Sequence, residues 1–110
     1  MLQAQENLKD CTQNPNCYVA KTLKIIGSKW TMMILHNLFE DKKRFGELQR
    51  SLGTISPKTL SQRLQELEKA RIIKRKVYAE IPLHVEYNLT EKGKSLEKIF
   101  KDMATWGQTH

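Results

Sequence analysis

Very little in this sequence is suited to covalent chemistry. Its only cysteines, Cys11 and Cys17, and its three histidines, His36, His84 and His110, are scattered without the spacing of a zinc site. No glycine-rich loop could cradle a phosphate, and no nucleophile–base pair or paired-carboxylate constellation is visible. An enzyme is therefore the weakest reading, and neither a cofactor nor a metal is expected. Long apolar runs are also missing: none reaches the roughly 20 residues that a spanning helix needs, and no apolar wedge of a membrane anchor is present. The opening stretch MLQAQENLKDC lacks the basic start and apolar block of a secretory signal, so a cytoplasmic location is expected.

Acidic residues are scarce in one region only. Between Lys42 and Lys76 there are eleven Lys/Arg and three acids, a net +8, whereas the other 75 residues hold eight basic and nine acidic side chains, a net −1. All the excess of the overall +7 charge therefore lies in the middle third. Such a concentration is the electrostatic footprint of a polyanion partner, most commonly nucleic acid. At 110 residues the chain fits one domain with a modest core.

The stretch Ile55 to Ile73 organises the rest. Ser56 is a good helix N-cap and Pro57 a good first helical residue, because proline has no N–H to leave unpaired. Leu60, Leu64 and Leu67 recur on one stripe of a 3.6-residue helix, with Ala70 one turn on. The opposite face carries Lys58, Gln62, Gln65 and Lys69, flanked by Thr59 and Ser61. That set of amide, hydroxyl and cationic donors suits base edges and phosphates, although an ordinary solvated face would also be polar.

Residues 1–16 show little apolar periodicity, and Asn14-Pro15-Asn16 reads as a turn, so an N-terminal arm is expected there. From Cys17 to Ile26 a helix carries an unusually wide apolar stripe, with Val19, Leu23 and Ile26 beside Tyr18, Thr22 and Ile25; Gly27 ends it. Trp30 to Phe39 is apolar around nearly its whole circumference, the pattern of a central buried helix, in which His36 is expected to be packed or to cap. Glu40 to Lys43 reads as a polar connector. A short helix with Phe45, Leu48 and Leu52 then precedes the Ser56 helix, which makes a helix-turn-helix whose second helix is the reader.

After Ala70 the period changes from 3.6 to two. Val85, Tyr87 and Leu89 point inward and His84, Glu86 and Asn88 outward, so a β-hairpin with a loop of about four residues and Pro82 at its tip is expected. Its first strand, Lys74-Arg75-Lys76, suits backbone phosphates. The last helix, capped by Thr90, runs from Glu91 to about Trp106. It bears a stripe of Leu96, Ile99, Phe100, Met103 and Trp106 that favours pairing with another subunit. The expected fold is mainly α with a small β-hairpin.

From Cys17 to Gly107 the chain resembles the HxlR-type winged helix-turn-helix transcriptional regulators. The resemblance rests on an ordered set of pieces: Gly27-x-Lys29-Trp30 with Ile34-Leu35 and Leu38; Arg44-Phe45-x-Glu47-Leu48; Ile55-Ser56-x-Lys58-x-Leu60-x-x-Arg63-Leu64-x-Glu66-Leu67-Glu68; Tyr78 with Pro82; Val85-Glu86-Tyr87-x-Leu89-Thr90-x-x-Gly93; and Trp106-Gly107. It implies a winged helix-turn-helix over residues 17–110 with N- and C-terminal dimerisation helices, a homodimer on double-stranded DNA with a pseudo-palindromic operator, and no enzymatic activity. By position, Ser56, Lys58, Thr59, Ser61, Gln62 and Arg63 form the implied DNA-contacting set, with Lys74, Arg75 and Lys76 on backbone phosphates. Arg63 has a second available role, pairing with Glu66 three residues on.

Three departures stand out. Tyr18 follows Cys17 where the family has a proline. Arg71 stands where a glycine usually ends the reading helix, and His84 where an arginine is common. Cys17 falls at a helix start, where the N-terminal partial charge lowers thiol pKa. With Cys11 as a resolving partner it is a candidate switch for oxidants or electrophiles such as quinones, as redox-responsive members of the family also suggest; a structural cysteine is the alternative. The rival to the whole reading is a winged-helix module that binds an acidic protein and no DNA.

Overall fold

The computed structural model describes residues 17–110. Helices α1 (Tyr18–Ile26) and α2 (Lys29–Glu40) come first, followed by a two-residue strand β1 (Lys43–Arg44). Next are α3 (Phe45–Leu52), α4 (Pro57–Lys69), the strands β2 (Ile73–Tyr78) and β3 (His84–Leu89), and helices α5 (Glu91–Lys94) and α6 (Glu97–Thr109). Cys11 and the expected arm over residues 1–16 lie outside the described residues.

Helices α2, α3 and α4 pack together, and each also touches an antiparallel sheet of strand order β1-β3-β2. Burial of Leu60, Leu64 and Leu67 fixes α4 by its inner stripe, against a core that includes Ile34, Leu35, Leu38, Leu48, Ile72, Ile73 and Leu89. Each such side chain contributes about 1.5–3 kcal/mol on leaving water. The alternation expected of the hairpin holds for Tyr87 and Leu89, which are buried, while Val85 is half-buried.

Three expectations need correction. Lys43, the end of the expected Glu40–Lys43 connector, and the following Arg44 form a third strand, with Lys43 opposite Tyr87 and Arg44 opposite Glu86. Two residues carry no readable period, and this pairing arises only because the start of α3 delivers the chain beside β3. Helix α2 is covered on one side rather than all round: Thr31, Ile34, Leu35 and Leu38 are buried, but Met33 is 42% exposed and His36 is neither packed nor capping. The hairpin loop spans residues 79–83 and contains Pro82, close to the expected length.

The last helix is two helices. Thr90 Oγ1 donates to the carbonyls of Arg71 and Ile72, at 2.6 and 3.0 Å, and accepts from the Gly93 N–H at 3.1 Å. This holds α5 so close to β2 that a Cβ on Gly93 would lie 2.1 Å from the Ile72 carbonyl oxygen. The Leu96 N–H then bonds the Gly93 carbonyl three residues back, a tightened turn that separates α5 from α6.

Candidate nucleic-acid interface

The N-terminus of α4 is built as its sequence requires. Ser56 is extended, and its Oγ accepts from the Thr59 N–H at 3.1 Å while donating to Thr59 Oγ1 at 3.0 Å. Pro57 follows at the first helical position. With the Leu stripe turned into the core, Ser56, Lys58, Ser61, Gln62, Gln65 and Lys69 are all exposed. Thr59 is half-buried and its hydroxyl is engaged by the cap, so it has less freedom than its neighbours.

Arg63 is tied down. Its Nη1 donates to Glu66 Oε1 at 3.0 Å, and its Nε is buried without a hydrogen-bond partner among the described residues. The pairing with Glu66 is the second of its two available roles.

At the far end, α4 closes in a Schellman turn: the Arg71 N–H bonds the Glu68 carbonyl and the Ile72 N–H bonds the Leu67 carbonyl, at 3.0 and 2.9 Å. The turn needs a left-handed residue, and Arg71 supplies it at φ 64°. Lys92 Nζ donates to the Ala70 carbonyl at 3.0 Å and further secures the joint between reading helix and wing.

Strand alternation separates the three cations of β2. Lys74 and Lys76 lie on the outer face of the sheet with Asn88 and Glu86 opposite, whereas Arg75 pairs in register with Tyr87 on the face turned to the helices. Arg75 Nε lies 3.7 Å from Glu68 Oε2 and the guanidinium bonds the Tyr87 phenol. Burial raises the Tyr87 pKa above its ordinary value, and Arg75 opposes that shift. All three are exposed and line one cleft, but the pleat turns Arg75 toward Glu68 and Tyr87 and away from Lys74 and Lys76. Lys76 Nζ sits 4.9 Å over the Tyr78 ring, which stacks on His84 at 4.5 Å. The His84 ring nitrogens face Glu80 and Glu86 at 3.3 and 3.6 Å.

Away from this surface, α1 and α6 flank an apolar groove of about 480 Å³ lined by Tyr18, Val19, Leu23, Met32, Ile99 and Met103 among others. Farther along α6, Trp106 is 66% exposed. Cys17 is the N-cap of α1; it is fully buried, disulfide-bonded, and its Sγ accepts from the Ala20 N–H at 3.5 Å. Among the described residues no cluster could hold a metal ion, and no helix is long and apolar enough to cross a membrane.

Residues 25–110 match the HxlR-like helix-turn-helix family. This chain belongs to that family. An uncharacterized HTH-type transcriptional regulator of Halalkalibacterium halodurans is 43% identical over 108 residues, which are 97% of this chain and 93% of that one. The redox regulator HypR in its oxidized form has a TM-score of 0.80 at 40% identity, over 86% of this chain and 97% of HypR. Quinone-bound YodB from Bacillus subtilis has a TM-score of 0.75 at 34% identity, over 89% of this chain and all of the other. The HxlR-like chain is thus a transcriptional regulator of winged-helix type and not an enzyme.

In this HxlR-like regulator the helix-turn-helix and the wing come from separate parts of the sequence, and Leu60, Leu64 and Leu67 hold them together through one core. At the edge of the sheet, Lys42 appears in the sequence only as a connector charge and Arg44 only as the first residue of the Arg44-Phe45-x-Glu47-Leu48 piece. The backbone N–H of Arg44 donates to Glu47 Oε1 at 2.8 Å and so starts α3, which leaves its side chain out of the cap.

Proposed function

We propose that this regulator is a homodimer that binds double-stranded DNA at a pseudo-palindromic operator, with residues 17–110 as the working domain and 1–16 as an arm, and that thiol chemistry at Cys17 controls the binding. One observation carries the DNA reading: α4 turns Leu60, Leu64 and Leu67 inward and holds Ser56, Lys58, Ser61 and Gln62 outward with no acid among them. Lys58, Ser61 and Gln62 read base edges, Gln62 by a bidentate contact to adenine. Ser56 and the Lys58 N–H hold a phosphate, as do Lys74 and Lys76. Thr59 lines the same end, Arg63 reaches phosphate by exchanging its bond to Glu66, and Arg75 braces the wing against α4 through Glu68.

The apolar groove between α1 and α6 supports the dimer, because a second copy would cover Val19, Leu23, Ile99 and Met103 together. Two reading helices would then meet half-sites about 34 Å apart. Footprinting on DNA flanking the coding locus tests the reading. A protected pseudo-palindrome supports it, and equal affinity for every duplex tried refutes it.

The position of Cys17 at the head of α1 supports the switch, since a shift there would move one subunit against the other. HypR is a redox regulator and YodB has been seen with quinone bound, which favours the same chemistry in this chain. Cys17 is disulfide-bonded in the structure, so the switch starts from the reduced protein, in which the thiols of Cys17 and Cys11 lose two electrons and two protons to peroxide and form a disulfide, while a quinone instead takes the Cys17 thiol by addition. The test compares DNA affinity before and after peroxide, diamide or quinone in the wild type and in Cys17→Ser. An equal change in Cys17→Ser would eliminate this cysteine as the sensor.

A further inference from the structure

The exposed cations of the sheet extend beyond β2. A cleft of about 390 Å³ at the sheet is lined by Lys42, Lys74, Arg75, Lys76, Tyr78, Glu86 and Asn88. Arg44 belongs to the same face as Lys76, because it stands opposite Glu86 on one side of β3 as Lys76 does on the other. Lys42, Arg44, Lys74 and Lys76 are all exposed, and none makes an ion pair among the described residues.

The neighbouring cations are accounted for differently. Lys43 turns to the other face and pairs with Glu40 at 3.5 Å, and Arg75 faces Glu68. The sheet therefore sorts the basic residues of two distant segments into unpaired ones outside and paired ones inside. Among the cleft residues the only acid is Glu86, and its carboxylate is turned to the His84 ring.

We infer that Lys42 and Arg44, contributed by the chain just before α3, bind backbone phosphates of duplex DNA on one continuous surface with Lys74 and Lys76. This rests on the DNA reading above and adds two contacts to it. Cations at spaced strand positions suit a run of phosphates better than one small anion, which would require them to converge. The contacts carry no sequence information, so they raise affinity for all duplexes alike.

The test measures binding to a random-sequence duplex of about 30 base pairs, long enough for two half-sites, over a range of salt concentration. Lys42→Gln/Arg44→Gln, which removes two contacts from each of two subunits, should lower the slope of log affinity against log salt by about 3.6, at about 0.9 per phosphate contact. The deficit of the dimer relative to wild type would then grow about 4,000-fold for each tenfold dilution of salt. Lys42→Arg/Arg44→Lys should keep the wild-type slope, and Lys94→Gln, an equal type of charge loss on α5, should leave it nearly unchanged. Arg44 starts α3 through its backbone N–H, so the melting temperature of the double variant should match wild type. If Lys74→Gln/Lys76→Gln flattens the slope and Lys42→Gln/Arg44→Gln does not, the inference is overturned while the DNA reading stands. If neither pair changes the slope, the wing does not hold phosphates at all. An unchanged duplex affinity together with lost binding of inorganic phosphate would assign the cleft to a small anion and would also overturn it.

Discussion

Replacing Arg71 by glycine should make the protein more stable. Arg71 is the left-handed residue of the Schellman turn that joins α4 to β2, with φ at 64°. A side chain in that region costs about 1–2 kcal/mol, because Cβ crowds the following carbonyl oxygen. Glycine removes the cost but gains freedom in the unfolded chain, worth about 0.5–1 kcal/mol against it. The exposed Arg71 side chain makes no ion pair among the described residues, so nothing else is lost. The bonds that secure the turn, from Thr90 Oγ1 and from the Arg71 and Ile72 N–H groups, are to or from the backbone and survive. The net gain should be about 0.5–1 kcal/mol, which in a domain of this size raises the melting temperature by about 2–8 °C. Thermal melts at one fixed protein concentration read it, since a dimer's midpoint moves with concentration. Arg71→Ala is the deciding control. It removes the same positive charge from the +8 region but keeps Cβ, so it should leave the midpoint near wild type. If alanine stabilised as much as glycine, charge repulsion rather than backbone strain would explain the effect, and the reasoning would be refuted.

Gly93→Ala should destabilise by about 1–3 kcal/mol, because its Cβ would lie 2.1 Å from a backbone carbonyl that β2 cannot easily move; a chemical denaturation midpoint at or above wild type would contradict this. Gln62→Ala should cost about 1–3 kcal/mol on the operator and relax preference at one base pair, and an equal loss on random duplex would remove Gln62 from base readout. Ile99→Asp/Met103→Asp should shift sedimentation from dimer to monomer by placing charge in the α1–α6 groove, whereas an unchanged dimer would put the interface elsewhere.

Most of the helical architecture was legible because it depends on local rules. Ser56 and Pro57 set the start of α4, the 4-3 spacing of Leu60, Leu64 and Leu67 set its buried side, and the change to period two after Ala70 announced the hairpin. The exposure of the polar α4 face follows from the same spacing, since turning one stripe inward forces the other outward. Even the strained turn at Arg71 could be anticipated, because helices commonly end on a left-handed residue and no glycine was available there.

What the sequence could not determine depends on contacts between distant segments. Strand β1 exists only beside β3, and two residues have no periodicity to reveal it. The break before α6 arises where Gly93 meets the Ile72 carbonyl, 21 positions earlier in the chain. The run Lys74-Arg75-Lys76 looks uniform as a string of charges, yet the pleat sends its members to opposite faces and assigns Arg75 to Glu68 and Tyr87. The same pleat unites Lys42 and Arg44 with Lys74 and Lys76. Composition and local spacing thus determined which residue types were present and which helices they formed. Only the tertiary pairing of strands decided which charges share a surface, because a side chain's face in a sheet is fixed by register against partners remote in the sequence.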